Sequence, residues 1–458
     1  MTGHGNGKAF DFDKLVDTQR GTVSRELFVS EELYQLEQEQ VFARAWLLVG
    51  HESQVPNPGD FFTSCMGEES VILTRDDQQR IRVFLNTCTH RGMKVCRYDE
   101  GNTTVFTCPY HGWAFGTDGR LVGVPHFKTA YHGELDKSQW GLPEVAQLHN
   151  YKGAIYATWD PEAPPFMEYL GGMKVFLDIL LDAQDGSEGG SEVIGGVQKW
   201  VMPCNWKFPA ENFAGDGYHN ISHRSVDLVG IGPSGKGRRD NEQIKTVGLN
   251  ASFREGGHSA MIHYQTEDLP FIPTYQQSKE VEEYFREAYE KRQERLGKDA
   301  RMLGRVGTVF PNQSFSSRQP RSMAVWHPRG PLRTEAWRWY LVDKQAPQAV
   351  KDMLRHYYMR YAGPAGLTEQ DDMENWNYAS AASKGVIARR YDYNYQMGMG
   401  HEFEHDHLPG LVSKGHSEQN QRGMYKRWAE LMAGKSWAEL RADSPAAAPT
   451  AKAGEKRA

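Results

Sequence analysis

The sequence predicts an α+β protein, with an all-β domain followed by a larger domain built on a broad antiparallel sheet flanked by helices. Three observations predict this. Short strand-like runs at Asp60–Thr63, Ser70–Thr74 and Ile81–Leu85 are broken by Gly67 and by the Asp76–Gln79 turn, as in a β-rich unit with tight connections. Longer runs at Arg305–Phe315, Ser322–His327 and Thr334–Val342 read as antiparallel strands of a second, larger sheet. Between the two sets, Asp160–Pro165 spells Asp-Pro-Glu-Ala-Pro-Pro, which suits a linker. A chain of 458 residues is long enough to give each domain a core.

Taken in order, Ser30 is placed to cap a helix running to about Trp46. Leu33, Leu36 and Phe42 share its inner face, while Glu37 and Glu39 point outward. Residues 1–46 are expected to pack with the second domain. The all-β domain takes 47–163, with Lys152–Trp159 as its last strand, and the second domain takes 164–442. Phe166–Asp182 reads as a helix, Asp185–Ser191 as a Gly-rich connection and Gly196–Met202 as a strand. That strand leads through Pro203–Lys207 into a further helix. Arg224–Asp240 is rich in Gly and Arg without apolar period and is expected to be a mobile loop. Glu280–Leu296 is a charged helix, read as solvated, and Pro347–Tyr361 is a helix with proline at its start. Residues 443–458, rich in Ala, Pro and Lys, are expected to be a disordered tail. No internal repeat is visible.

Composition excludes several classes. A net charge of −6 without a basic run argues against nucleic acid. The longest apolar candidate, Val175–Leu181, is far too short to span a bilayer, and Met1–Asp13 has no apolar signal core. Cys65, Cys96 and Cys204 lack disulfide-like spacing, which fits a reducing cytoplasm. No Gly-rich dinucleotide fingerprint and no second ferredoxin-like cysteine set appears.

The chemistry concentrates in two loops, Cys88-Thr89-His90-Arg91-Gly92 and Cys108-Pro109-Tyr110-His111-Gly112-Trp113. They read C-x-H, seventeen residues, C-x-x-H. A zinc finger places its two Cys on one loop and its two His on a helix. Here each loop brings one of each, which suits a Rieske [2Fe–2S] cluster held by Cys88, His90, Cys108 and His111, one iron taking both sulfurs and the other both nitrogens. Downstream, His219 and His223 stand four apart, so a helix would place both rings on one face. Two His with a distant carboxylate form the facial triad of non-haem Fe(II) oxygenases.

From about Trp46 to about Trp437 these motifs resemble the α subunits of Rieske non-haem iron aromatic-ring-hydroxylating dioxygenases, of the biphenyl, naphthalene and polycyclic hydrocarbon type. The resemblance implies a helix-grip-like catalytic domain. It makes Asp372, within Glu369–Asn375, the third iron ligand, with Asp371 as rival. The two His stand one or two residues further apart in well-known members, which keeps His258 and His263 in view as alternatives to His223. It also implies that Asp216 bridges His219 to His111 of a neighbouring subunit and that Asn212 lies near the iron.

The implied activity is that of a terminal oxygenase. It inserts both atoms of O2 into an aromatic ring to give a cis-dihydrodiol, with electrons reaching it from NAD(P)H through a separate reductase and ferredoxin. A small β subunit in an α3β3 hexamer is the implied assembly. Monooxygenation is the alternative on the same scaffold, and a pure Rieske electron carrier is the alternative outside the enzymes. Phe213, Leu228, Val229, Ile231, Phe310, Ala362, Leu367 and Thr368 are the candidate pocket residues. They suit a hydrophobic ring, and Ala362 and Thr368 hint at room for a larger one. Arg224, Arg318 and Arg321 leave open a phthalate-like carboxylate, though they read more simply as solvated loop charges.

Overall fold

The computed structural model describes residues 10–231, 246–268, 270, 271, 273 and 278–442. The tail at 443–458 and the loop from 232 onward lie outside the described residues.

The first domain is three small antiparallel sheets. Asp60–Met66, Glu69–Arg75, Ile81–Leu85 and Glu100–Asn102 form one; Val105–Thr107, Ala114–Gly116 and Leu121–Gly123 form another. The third joins Gln147–Tyr151 and Ala154–Thr158 to Leu47–His51. Alternation along the strands divides two cores. Phe61, Ile72 and Phe84 pack with Cys88, Cys108 and Trp113. Their neighbours Phe62, Val71, Leu73 and Val83 point the other way, into the main core shared with the rest of the chain. A period-two side-chain pattern produces this division.

The second domain is organised on a nine-stranded sheet. In chain order its strands are β1 (Ser191–Met202), β2 (Thr246–Phe253), β3 (His258–Gln265), β4 (Met302–Val309), β5 (Gln313–Ser316), β6 (Ser322–Pro328), β7 (Thr334–Asp343), β8 (Phe403–His405) and β9 (Leu408–Lys414). Their order across the sheet is β1-β7-β6-β5-β4-β3-β2-β9-β8, antiparallel throughout. The expected strand Arg305–Phe315 is two strands. Phe310-Pro311-Asn312 turns between them, and the Phe310 N–H donates to His258 Nδ1 at 2.9 Å instead of to a ladder. Strand β1 starts earlier than expected because Gly195 and Gly196, both at positive φ, absorb a bulge.

Helix α1 (Glu31–Glu37) is capped by the Ser30 hydroxyl, which accepts from Leu33 N at 3.3 Å. It then continues as a π-turn, Gln38–Phe42. Glu37 was expected to face solvent and is instead fully buried. It accepts from Trp206 Nε1 at 3.0 Å and Trp428 Nε1 at 2.7 Å and pairs with the buried Lys207 ammonium. A buried ammonium needs an opposite charge, and that need overrides the apolar periodicity. The carboxylate thereby ties the N-terminal segment to the second domain. Glu37→Ala is expected to destabilise the fold by about 3–5 kcal/mol, read as the loss of thermal stability; a change within error would show that the pair contributes nothing.

Helix α2 (Lys207–Gly215) follows β1, and the short α3 (Arg224–Val229) occupies the start of the expected mobile loop, ending at Gly230 with φ +70°. Helix α4 (Lys279–Leu296) is not wholly solvated. Val281 and Phe285 are buried and pack with Val350 and Leu354 of α5 (Gln348–Tyr361). Helices α6 (Leu367–Ser383) and α7 (Gln419–Met432) follow, and shorter helices lie at Phe166–Leu170, Lys174–Leu181 and Trp437–Ala442, so the single helix expected over Phe166–Asp182 is two. No helix among the described residues is long and apolar enough to cross a membrane.

Candidate metal centres

The two Cys/His loops share one backbone design. Gly92 N donates to Cys88 O at 2.9 Å and Cys88 N to Met93 O at 2.8 Å. In the second loop Gly112 N donates to Cys108 O at 3.0 Å and Cys108 N to Trp113 O at 2.8 Å. Gly92 and Gly112 take φ +74° and +73°, which an L side chain rarely adopts. Both thiols are buried. The rings of His90 and His111 stand 4.6 Å apart, and Trp113 stacks on His90 at 4.8 Å, covering it. Burial, with the Cys108 thiol beside it, pushes the Cys88 thiol above its ordinary range. A metal that takes thiolate relieves that cost.

The second centre begins where α2 ends. At Gly215 a Cβ would meet Asn420 Nδ2 at 2.6 Å, so the chain leaves the helix at a residue with no side chain. Tyr218–His223 then winds as a 3-10 helix rather than an α-helix, and this different winding accommodates the short His spacing. His219 Nε2 and His223 Nε2 are 3.0 Å apart. Asp372 Oδ1, from α6, lies 3.4 Å and 3.2 Å from them. Facial donors on a six-coordinate ion with bonds of about 2.1 Å would be separated by about 3.0 Å. Asp372 Oδ1 is also buried without a hydrogen-bond donor. Among the described residues these three form the one group of three or more His, Cys, Asp or Glu donors within 4.8 Å of one another. The set fits a divalent ion. The four loop ligands form no such group, so they do not close on a single zinc-like point.

Each imidazole is backed by a carboxylate on its far nitrogen. Asp216 Oδ2 lies 3.5 Å from His219 Nδ1, and Asp371 Oδ2 lies 3.3 Å from His223 Nδ1. Asp371 is also held by Ser225 Oγ at 2.7 Å. It therefore sits behind His223 rather than at the convergence, a role the sequence reading missed. Burial opposes charge on His219, yet Asp216 and Asp372 raise its pKa to about 10. Burial likewise opposes charge on Asp372, but the two imidazoles hold it down to about 2.

His258 is not a ligand reserve. It is fully buried, spans Tyr169 O at 2.8 Å and Phe310 N, and is held neutral by burial, with its pKa lowered to about 3. His263 lines the cavity beside Arg305 but stands outside the convergent group.

The donors open on a cavity of about 190 Å³. Asn212, Phe213, Asp216, Ala362 and Thr368 line it. Leu228 and Val229 do not; they are exposed on α3. Phe310 is sealed in the core, and Ile231 and Leu367 also lie off the wall. Arg224 is exposed, whereas Arg321 is no solvated loop charge: it is buried, pairs with Asp343 and donates to Leu180 O at 2.8 Å. The wall is more polar than the sequence implied, because Arg305, Arg318, His263 and the Arg338–Glu369 pair reach it.

On α2, Glu211 accepts from Tyr395 at 2.7 Å and from Tyr425. Burial pushes its carboxyl up to about 8, and the two hydroxyls offset this only in part. A carboxyl raised in the folded state stabilises fully below its unfolded pKa. That contribution is lost as pH rises from about 4.5 through about 8. Glu211→Gln is expected to remove this loss and to raise stability at pH 9 by on the order of 1 kcal/mol or more. Parallel melting profiles of variant and parent from pH 5 to 9 would contradict it.

The chain is similar to known proteins over most of its length. The Rieske [2Fe-2S] domain family matches residues 45–148, and the ring hydroxylating alpha subunit (catalytic domain) family matches residues 189–434. The α subunit of biphenyl 2,3-dioxygenase from Rhodococcus jostii is 40% identical over 446 residues, covering 95% of this chain and 94% of the relative. The α subunit of benzene 1,2-dioxygenase from Pseudomonas putida is 40% identical over 447 residues, covering 95% and 97%. A naphthalene 1,2-dioxygenase variant solved with phenanthrene superposes with a TM-score of 0.85 at 32% identity, over 95% of this chain and 98% of that one. The chain therefore belongs to the α subunits of ring-hydroxylating dioxygenases, oxidoreductases that combine a Rieske [2Fe–2S] cluster with a mononuclear non-haem iron.

Proposed function

We propose that the chain is the terminal oxygenase of a cytoplasmic multicomponent dioxygenase, inserting both atoms of O2 into an aromatic ring to give a cis-dihydrodiol. A separate ferredoxin and an NAD(P)H-dependent reductase supply the electrons, and a small β subunit completes an α3β3 hexamer. Cys88, His90, Cys108 and His111 hold the cluster within 47–163. His219, His223 and Asp372 hold the iron within 164–442. When bound, the two groups together supply reductive O2 activation, delivered one electron at a time.

The carrying observation is that the three convergent donors open directly on a cavity with an aromatic wall. The protein's own work there is positioning. Phe213, Tyr357, Tyr361 and Ala362 offer a ring its flat contacts, and the cavity limits water. At about 190 Å³ it is smaller than the roughly 300 Å³ at which drug-sized sites begin, which favours one or two rings. Asp371 fixes His223 so that Nε2 faces the metal position.

Asp216 has a second task in this reading. Its Oδ1 is engaged by the N–H groups of Tyr218 and His219 at 2.9 and 3.2 Å. Its side chain remains 35% exposed, enough to meet another chain. Tyr218 and Ile221 beside it are exposed, as is Tyr110 beside His111. These apolar surfaces support a subunit contact in which Asp216 accepts an N–H from the partner's cluster histidine while still facing His219.

The test is oxidation under 18O2 with ferredoxin and reductase present. Two labelled oxygens in a cis-diol are expected. A single labelled oxygen points to monooxygenation, and no oxidation of any ring contradicts the proposal.

A further inference from the structure

We propose that Arg338, through its buried pair with Glu369, is a positioning residue for the mononuclear iron: it fixes the start of α6 and thereby the place of Asp372. This deepens the reading of His219, His223 and Asp372 as the iron site and rests on it.

Strand β7 carries the argument. Arg338 Nη2 donates to both Glu369 oxygens, at 2.8 and 2.7 Å, and Nη1 donates to Ser322 Oγ at 3.1 Å. The guanidinium also lies over the Phe213 ring, 5.4 Å from its centroid, which steadies it from a second side. Two residues along the strand, Tyr340 points the same way, and its hydroxyl donates to Ala362 O at 2.7 Å. One strand thus holds the segment from Ala362 to Glu369 at two points. That segment opens α6, whose cap residue, Gly366, offers no side-chain hydrogen bond. The helix start is therefore set by the sheet rather than by a cap of its own. Glu369 and Asp372 stand three apart, on one face of the helix. A shift of the first turn carries Asp372 Oδ1 with it, away from its 3.4 and 3.2 Å spacing to the two imidazoles.

Stability alone does not account for the pair. Both side chains are 2% exposed. Apolar side chains of like volume often stabilise as well as a buried ion pair, because the cost of desolvating two charges offsets their attraction. Among the described residues Arg338 Nε also finds no acceptor, a further cost. What apolar filling cannot supply is direction. A guanidinium held by Ser322 and by both carboxylate oxygens fixes where the helix begins, and the partners that orient a ligand tune the affinity of its metal.

The test follows iron released from the reduced holoprotein to a coloured Fe(II) chelator without oxygen, with the Rieske absorption showing that the cluster survives. Arg338→Met combined with Glu369→Leu removes both charges together. This double variant is expected to melt close to the parent yet to hold the mononuclear iron about 10–100-fold less tightly. Glu369→Gln, which keeps an acceptor for Arg338, should lose less. Should the double variant fail to fold, Arg338→Lys carries the test: it keeps the charge, loses the planar group, and should weaken iron binding about tenfold. A merely structural pair would lower the melting temperature and leave iron affinity alone. Parent-like affinity in a folded variant overturns the proposal, as does a fall in affinity seen only in variants that melt lower. A parent that holds only the two cluster irons removes the iron reading beneath, and the proposal with it. A parent with the third iron, and variants that release it at the parent rate, remove the proposal alone.

Discussion

Asp372→Ala yields a protein that keeps the Rieske absorption but loses the mononuclear iron, and with it all turnover above background. The three donors stand at 3.0 to 3.4 Å from one another, and no other carboxylate in the convergent group can substitute. His223→Ala behaves alike. Asp371→Asn is milder, lowering iron affinity by about 10–100-fold, because it disturbs only the far nitrogen of His223. The measurement is iron per chain beside the visible spectrum. Full iron occupancy in His223→Ala would show that the short spacing had led to the wrong imidazole.

Asp216→Asn is expected to keep both centres and ligand binding while losing nearly all turnover. The replacement is close to isosteric, and the side-chain oxygen can still accept from Tyr218 N and His219 N. A neutral amide cannot accept from two imidazoles at once, since its other end donates. The His219 orientation and the proposed route to the partner's cluster suffer together. Pre-reduced protein, mixed with substrate and O2, should oxidise its cluster slowly in this variant. Oxidation at the parent rate would mean that electrons reach the iron by another path.

The cluster loops were readable because their chemistry is local: four ligands and two glycines lie within one short stretch. His219 and His223, the first two candidate donors, were readable for the same reason, and they lie together with Asp372. Asp372 was reached only through resemblance, since α6 buries polar residues such as Glu369, Asp372 and Ser380 and shows no apolar stripe. The back-up role of Asp371 depends on which way neighbouring carboxylates point, which sequence order does not set. Arg305 was missed because alternation breaks at a bulge, and Glu37 was misplaced because a buried lysine from a distant segment needed a counter-charge. Leu228, Val229 and Phe310 were assigned to the pocket by apolar character, but two are exposed and one is sealed in the core.

The central claim is that one chain holds a two-iron cluster and a separate single iron. Iron and acid-labile sulfide, counted per chain in protein isolated without oxygen, test it most directly. The account predicts about three irons and two sulfides, with a Rieske-type EPR signal after reduction. Two irons with two sulfides would mean an electron carrier, and one zinc without sulfide would remove the cluster itself.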